Sequence, residues 1–405
     1  MKRTFMLAAL MTATIAVNAQ RYATNNNTTP KTIESSASTS YEPEWYAEQA
    51  KAWQQLVDKD SKNQTAWRNL FRATYFHDML SNSFGENQDT SATAEVMRKM
   101  EQAVPDSYVL NMCKERFCLS GDSLVETHQT LRRAIELLPD DALGDDVTLL
   151  ACKEWLYYAN DSKVHDLLVK AYEKLYIPES IMRYNWNMMQ SMEPNAIYFG
   201  NGDNCLVPCK MMQEALGVRK DVTVIPISYL YAEEFRNALY QQLGIKPFAH
   251  TKDYDRNIDG WEKEYSYDII MHIIKESHRP AYFFTDITNW TSMPQDNLYN
   301  EGILMKYSDR QYDNFAVAMN NVKNVYHLEY LTEPNLVYTS WDSCKRFNNN
   351  YVFLLSHLIK QFRQKGDIAE SERLYNTLSN YISSCDNETK EILTQEMKRQ
   401  AGLEQ

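Results

Sequence analysis

The chain has 405 residues, 44% of them aliphatic or aromatic, enough for two or three domains with buried cores. Only 11 glycines and 12 prolines argue against a loop-rich or all-β fold. A formal net charge of −12 argues against a nucleic-acid partner, because binding phosphate takes clustered Lys and Arg.

Lys2 and Arg3, the short apolar run 5–17 and the small residues around Val17-Asn18-Ala19 have the pattern of a secretory signal over residues 1–19. Cleavage is expected ahead of Gln20, giving an exported protein, periplasmic or secreted. No later apolar run reaches the roughly 18 residues that suggest a membrane helix, so the mature chain is expected to have no transmembrane segment. Residues 20–40 are rich in Asn, Thr and Ser and predict a disordered spacer.

Residues 41–192 predict helices. Pro43-Glu44 suits a helix start, and Tyr46, Ala50, Trp53 and Val57 follow at helical spacing. A second helix begins at Asn63 or Gln64 and carries Trp67, Leu70, Phe71 and Tyr75. The pair has about the length of a tetratricopeptide unit, and residues 132–139, 149–158 and 164–176 continue in kind. The expectation is a stack of degenerate helical repeats whose concave face binds a partner or packs on the next domain.

Residues 193–345 predict an α/β domain. Short apolar runs at 196–199 and 222–229 flank an amphipathic run at 206–216, a strand–helix–strand unit of the right-handed parallel kind. Further helices are predicted at 232–243, 265–276 and 315–322, and further strands at 281–287, 303–307 and 325–330. The alternation implies a Rossmann-like, mostly parallel sheet. Residues 346–405 return to helices: 351–364, a Lys365-Gly366-Asp367 turn, 368–382, and a last helix near 387–399. The fold class is thus α/β with α-helical flanks, ending in a tetratricopeptide-like hairpin.

Asn201, Gly202, Asp203 and Asn204 lie where the first strand hands over to its helix, the edge at which open α/β sheets bind ligands. Asp286 ends the 281–287 strand, and Asn289 follows it, at the same edge. Two carboxylates among amide oxygens suit a small polar ligand, a hard cation or an acid/base pair; the same residues also make turns and helix caps. Trp290 beside them suits packing or sugar stacking. The eight His do not cluster at metal spacing, no Cys-x-x-Cys occurs, and no Gly-rich phosphate loop follows. The seven cysteines fit small core hydrophobes, and no cofactor or metal is implied. The function expected is a non-enzymatic binding or scaffold protein with a protein or glycan partner in the envelope. The alternative is a sugar- or glycoconjugate-related enzyme or ligand-binding domain using the edge at 201–204.

A set of spaced motifs runs through the middle of the chain: Asn201-Gly202-Asp203-Asn204, Gln213-Glu214, Gly217-Val218-Arg219, Asp221-Val222, Ser228-Tyr229-Leu230, Arg279-Pro280-Ala281-Tyr282-Phe283 and Glu301-Gly302. Across about 190–390 this resembles the soluble tail of a family of multi-pass envelope proteins of unknown function, whose membrane part is similar to protein O-mannosyltransferases. Cys205 departs from the pattern by standing where that family often has a second Asp. Without the multi-pass part, glycosyl transfer is not carried over.

Overall fold

The computed structural model describes residues 29–36, 38–81, 90–117, 124–158, 164–249, 261–289, 291–333 and 341–402. The predicted signal sequence, the start of the spacer, Trp290 and Cys118 lie outside the described residues. Two compact units divide the chain, Met1–Glu154 and Trp155–Gln405.

The first unit is helical among the described residues: α1 Pro43–Lys59, α2 Gln64–Ser81, α3 Ser91–Ala103, α4 Tyr108–Phe117, α5 Leu124–Glu136 and most of α6 Gly144–Tyr158. The Asn63 side chain caps α2 by accepting from the Ala66 N–H at 2.9 Å. Trp53, Val57, Trp67, Leu70 and Phe71 are buried, as their spacing predicts.

The described end of the expected spacer is not free chain. Ile33 is buried, and its N–H donates to Asn69 Oδ1 at 2.7 Å. The Trp53 indole donates to the Lys31 carbonyl at 2.8 Å. A sparse apolar composition hides this strap because one isoleucine and the backbone, not a hydrophobic run, anchor it.

Beneath the strap lies a buried ion cluster. Arg68 Nε donates to both carboxylate oxygens of Asp146 at 2.8 Å, and its Nη2 to Asp145 at 3.1 Å. Arg72 also pairs with Asp145, and both arginines donate to the Ile33 carbonyl at 3.0 Å. Two cations meet two anions, so no net charge is buried. Asp145 and Asp146 also sit in the first turn of α6, where the helix dipole favours acids. Removing one partner leaves a buried charge uncompensated, which typically costs about 3–5 kcal/mol. Asp146→Ala is therefore expected to destabilise the first unit by about that amount in urea denaturation; a loss below about 1 kcal/mol would show the cluster to be solvated and incidental.

The second unit holds α7 Val164–Glu173, α8 Glu179–Ser191, β1 Ile197–Gly200, α9 Asp203–Leu216, β2 Thr223–Pro226, α10 Glu233–Leu243, α11 Trp261–Ser277, β3 Ala281–Phe283, β4 Leu298–Asn300, β5 Met305–Tyr307 and α12 Asn314–Asn320. It closes with α13 Asp342–Gln364, α14 Ile368–Ser383 and α15 Asn387–Ala401. Helices α7 and α8, expected to close the helical domain, fall here because both pack on α9.

The five strands lie in the order β2-β1-β3-β5-β4, all within residues 197–307 among the described residues. β1 pairs in parallel with β2 (Ile197 beside Thr223) and with β3 (Ile197 beside Ala281). β5 is antiparallel to both β3 and β4. The sheet is therefore mixed, not mostly parallel. The chain between β3 and β5 has no crossover helix among its described residues, and a parallel return needs a crossover of a dozen or more residues, usually helical. Every residue of β1 and β2 is buried.

The strand expected at 325–330 does not form. A π-helical turn, Asn321–Val325, leads into it. The His327 N–H then donates to Asn187 Oδ1 at 2.9 Å, while Asn187 Nδ2 donates to the His327 carbonyl at 3.2 Å. One carboxamide on α8 occupies both backbone groups that a neighbouring strand would use. The C-terminal helices keep the expected turn, with Asp367 capping α14 through the Glu370 N–H at 3.3 Å.

Candidate functional site

β1 and β3 are parallel neighbours, and the Phe284 N–H donates to the Phe199 carbonyl at 3.1 Å as they end. The segments leaving both strands therefore emerge at one carboxyl edge. Asn201 and Asn204 are half-buried there, Gly202 and Asp203 exposed, Asp286 half-buried and Asn289 exposed. Residues 287–289 form a single 3-10 turn, closed by the Asn289 N–H on the Asp286 carbonyl at 2.8 Å.

Cys205 lies buried just behind the turn. Burial comes first, then the Asp286 carboxylate, in pushing its thiol far above the usual range, and Asp203 adds to the effect. The thiol stays protonated and donates to the carbonyls of Asn201 at 3.3 Å and Gly202 at 3.2 Å. Cys205 is thus an apolar plug beneath the turn, and an unactivated one. Above it, Gly202 has φ +104°, a conformation that side-chain-bearing residues rarely adopt, and no atom lies within 4 Å of where a Cβ would stand. The turn is open on that side.

The helix that follows contains Pro208, which has no N–H to give the carbonyl of Asn204 four residues back. Asn185 on α8 fills the gap: its Nδ2 donates to the Asn204 carbonyl at 2.8 Å and to the Ile181 carbonyl at 2.8 Å. Its Oδ1 accepts from the Cys209 thiol at 3.3 Å. Asn185 is fully buried and lies in a stretch the sequence assigns to helical repeats, so sequence reasoning missed it. The signal available was a proline inside an otherwise helical run.

Arg219, Asp221, Gln213 and Arg279 gather at the opposite end of the sheet and hold the backbone, whereas Ser228-Tyr229-Leu230 follows the carboxyl end of β2. Arg219 donates to the carbonyls of Met192 at 3.0 Å and Glu193 at 2.9 Å, and pairs with Asp221 at 2.9 Å. The hydrogen bond from Arg219 holds the Asp221 carboxyl down to about 2. Arg279 donates to the carbonyls of Ala196 at 3.1 Å and Asp221 at 2.9 Å. Gln213 Nε2 donates to the carbonyls of Arg219 at 2.9 Å and Val222 at 2.7 Å. Glu301 is buried and accepts from the Tyr312 hydroxyl at 2.6 Å. Among the described residues, no group of three or more His, Cys, Asp or Glu is arranged to hold a metal ion. None of the described helices is long and apolar enough to cross a membrane.

Residues 182–298 match the family described as TMEM260-associated domain 2. The matched span runs from within α8 through β1, α9, β2, α10, α11 and β3 to the first residue of β4, and it contains the edge, Asn185 and the Arg219–Arg279 clamp. It covers under a third of the chain and fits the motif resemblance over residues 190–298. No curated protein and no solved structure matches.

The Asn185–Pro208 pairing has a direct thermodynamic consequence. Asn185→Ala orphans a carbonyl inside the protein and is expected to cost about 1–3 kcal/mol. In a Pro208→Ala background the backbone supplies its own N–H, so the cost of Asn185→Ala should shrink by about 1 kcal/mol or more. Chemical denaturation of the four proteins of this cycle checks it; strictly additive losses would show that Asn185 does not stand in for the missing donor.

Proposed function

We propose that the protein is an exported, non-enzymatic binding or scaffold protein of the cell envelope whose sheet edge receives a small polar ligand. The observation that supports this most is the emergence of the Asp203 and Asp286 segments at one carboxyl edge, from the adjacent parallel strands β1 and β3. Asn201 and Asn204 add amide groups beside an open Gly202 turn, and Asn289 adds one more from the β3 side. A polar ligand can approach the backbone where no Cβ intervenes. The β2-β1-β3 half of the sheet is read as Rossmann-like, with ligands expected at the carboxyl ends of its strands. The flanking helical pairs are read as degenerate tetratricopeptide-type repeats offering a face to a protein partner. Export rests on the basic start and short apolar core of residues 1–19.

Melting of the full chain with neutral sugars, nucleotides, Ca²⁺ or Mg²⁺ tests the edge, because a ligand that binds only the folded state raises its stability. At least one is expected to raise the melting temperature, and Asp203→Ala or Asp286→Ala should remove that shift while leaving the apo melting little changed. If no ligand shifts the parent, or if the substitutions only lower apo stability by the roughly 0.5–2 kcal/mol of a lost cap or turn, the edge is structural. N-terminal sequencing of the protein from an envelope fraction should begin at Gln20; an intact Met1 would refute export by this signal.

A further inference from the structure

A cavity of about 280 Å³ lies in the second unit, away from the edge residues named above. Trp155, His165 of α7, Lys210 and Glu214 of α9, Lys220, β2 and Phe235, Leu239 and Gln242 of α10 line it. Neither the expected function nor the matched family's description assigns it a role.

Its charge differs from that of the chain around it. Lys210 Nζ lies 2.9 Å from Glu214, and His165 Nδ1 contacts the same carboxylate. Desolvation opposes ionisation of Glu214, but Lys210 and His165 outweigh it and hold the carboxyl below its usual range. Lys220 is exposed and has no ion pair or hydrogen bond among the described residues. Two lysines thus face one carboxylate, with the His165 ring beside it, a local positive surplus in a chain of net charge −12. That surplus calls for an anionic group.

The walls specify the rest of the ligand. Trp155, Phe235 and Leu239 give an apolar side, with Lys210 Nζ 5.7 Å from the centre of the Trp155 ring. β2 is an edge strand. Since the Thr223 N–H donates to the carbonyl of Ala196, just before β1, at 2.9 Å, strand alternation turns the Val224 N–H and C=O to the open edge, which the cavity borders. Glu214 and Gln242 supply further polar groups. A purely apolar acid would leave these groups unpaired, whereas a hydroxylated ring would satisfy them. The volume is at or below the small end of ligand pockets, room for one ring and not for a chain of them.

We propose that this cavity binds a single acidic monosaccharide, its carboxylate or phosphate at Lys220 and Lys210 and its ring against the Trp155–Phe235 wall. Titration calorimetry on the full chain with glucuronate, glucose 6-phosphate and glucose tests it. At least one of the two acids is expected to bind one to one, and which of them binds tells carboxylate from phosphate. Lys220→Ala should weaken that binding at least tenfold with unchanged apo melting, and added salt should weaken it in the parent. Asp203→Ala should bind the acid as the parent does, which separates this cavity from the sheet edge. No binding of either acid at millimolar concentration, glucose binding as tightly as the acids, an unaltered affinity in Lys220→Ala, or a loss in Asp203→Ala would each overturn the proposal.

Discussion

A single carboxamide, that of Asn185, decides how the first strand can hand over to α9. Pro208 removes a backbone donor near the start of that helix, and a helix interior seldom tolerates the loss without a replacement. Asn185 supplies the donor from α8, a separate element. Two residues on, Asn187 does the equivalent for the peptide of His327 and donates to the Tyr351 hydroxyl at 2.8 Å. At about 100° per residue the two side chains leave α8 in widely different directions. One reaches the sheet edge and the other the C-terminal helices, so α8 is buried on two sides, with Ser180, Tyr184, Asn185, Asn187 and Met188 all fully buried and Arg183 left exposed. Asn348 and Asn350 of α13 continue the network to Ser180 and Tyr184 at 2.9 and 3.2 Å. Each buried amide has its partners, the condition under which a polar core specifies one arrangement without weakening it.

Periodicity and β-branched runs made most helices and four of the five strands among the described residues legible, including the two strands that place Asp203 and Asp286 at one edge. Neighbourhood was not legible. Leu298, Tyr299 and Asn300 give no strand signal alone; they become β4 because β5 lies alongside. Residues 325–330 carry a good strand signal and still fail to pair, because Asn187, some 140 residues earlier, takes the His327 peptide. Arg68 carries no local signal that sets it apart from a surface helix residue, although it is fully buried between two acids that stand 77 and 78 positions later. Local pattern sets the type of an element, while long-range polar partners decide whether its backbone is free to pair.

The motif residues divide by task once they are placed. Arg219, Asp221, Gln213 and Arg279 tie the connections at the amino ends of β1 and β2 to one another through backbone carbonyls. Arginine suits this because its planar fork reaches several carbonyls at once. These residues therefore stiffen the sheet at the end away from the Asn201–Asn204 turn. The Asn201-Gly202-Asp203-Asn204 turn sits at the other end, where the exposed groups are.

Glu214 belongs to the same motif and behaves differently. An acid in the last turn of a helix opposes the macrodipole, and Lys210 four residues before it is the weaker order for a helical ion pair. Helix stability alone would favour a neutral or basic residue there, as Asp203 in the first turn is favoured at the other end. Against the desolvation of its site, Glu214 is held below its usual range by Lys210 of its own helix and by His165 of α7. Its neighbour Gln213, by contrast, turns inward and ties the end of α9 to the loop before β2. The pair thus splits one helix end into a buried tie and a charged wall, and the wall is the part that faces the cavity. A carboxylate placed against the dipole and then neutralised fixes the position of Lys210, leaving Lys220 as the cation whose charge is not already spent within the described residues.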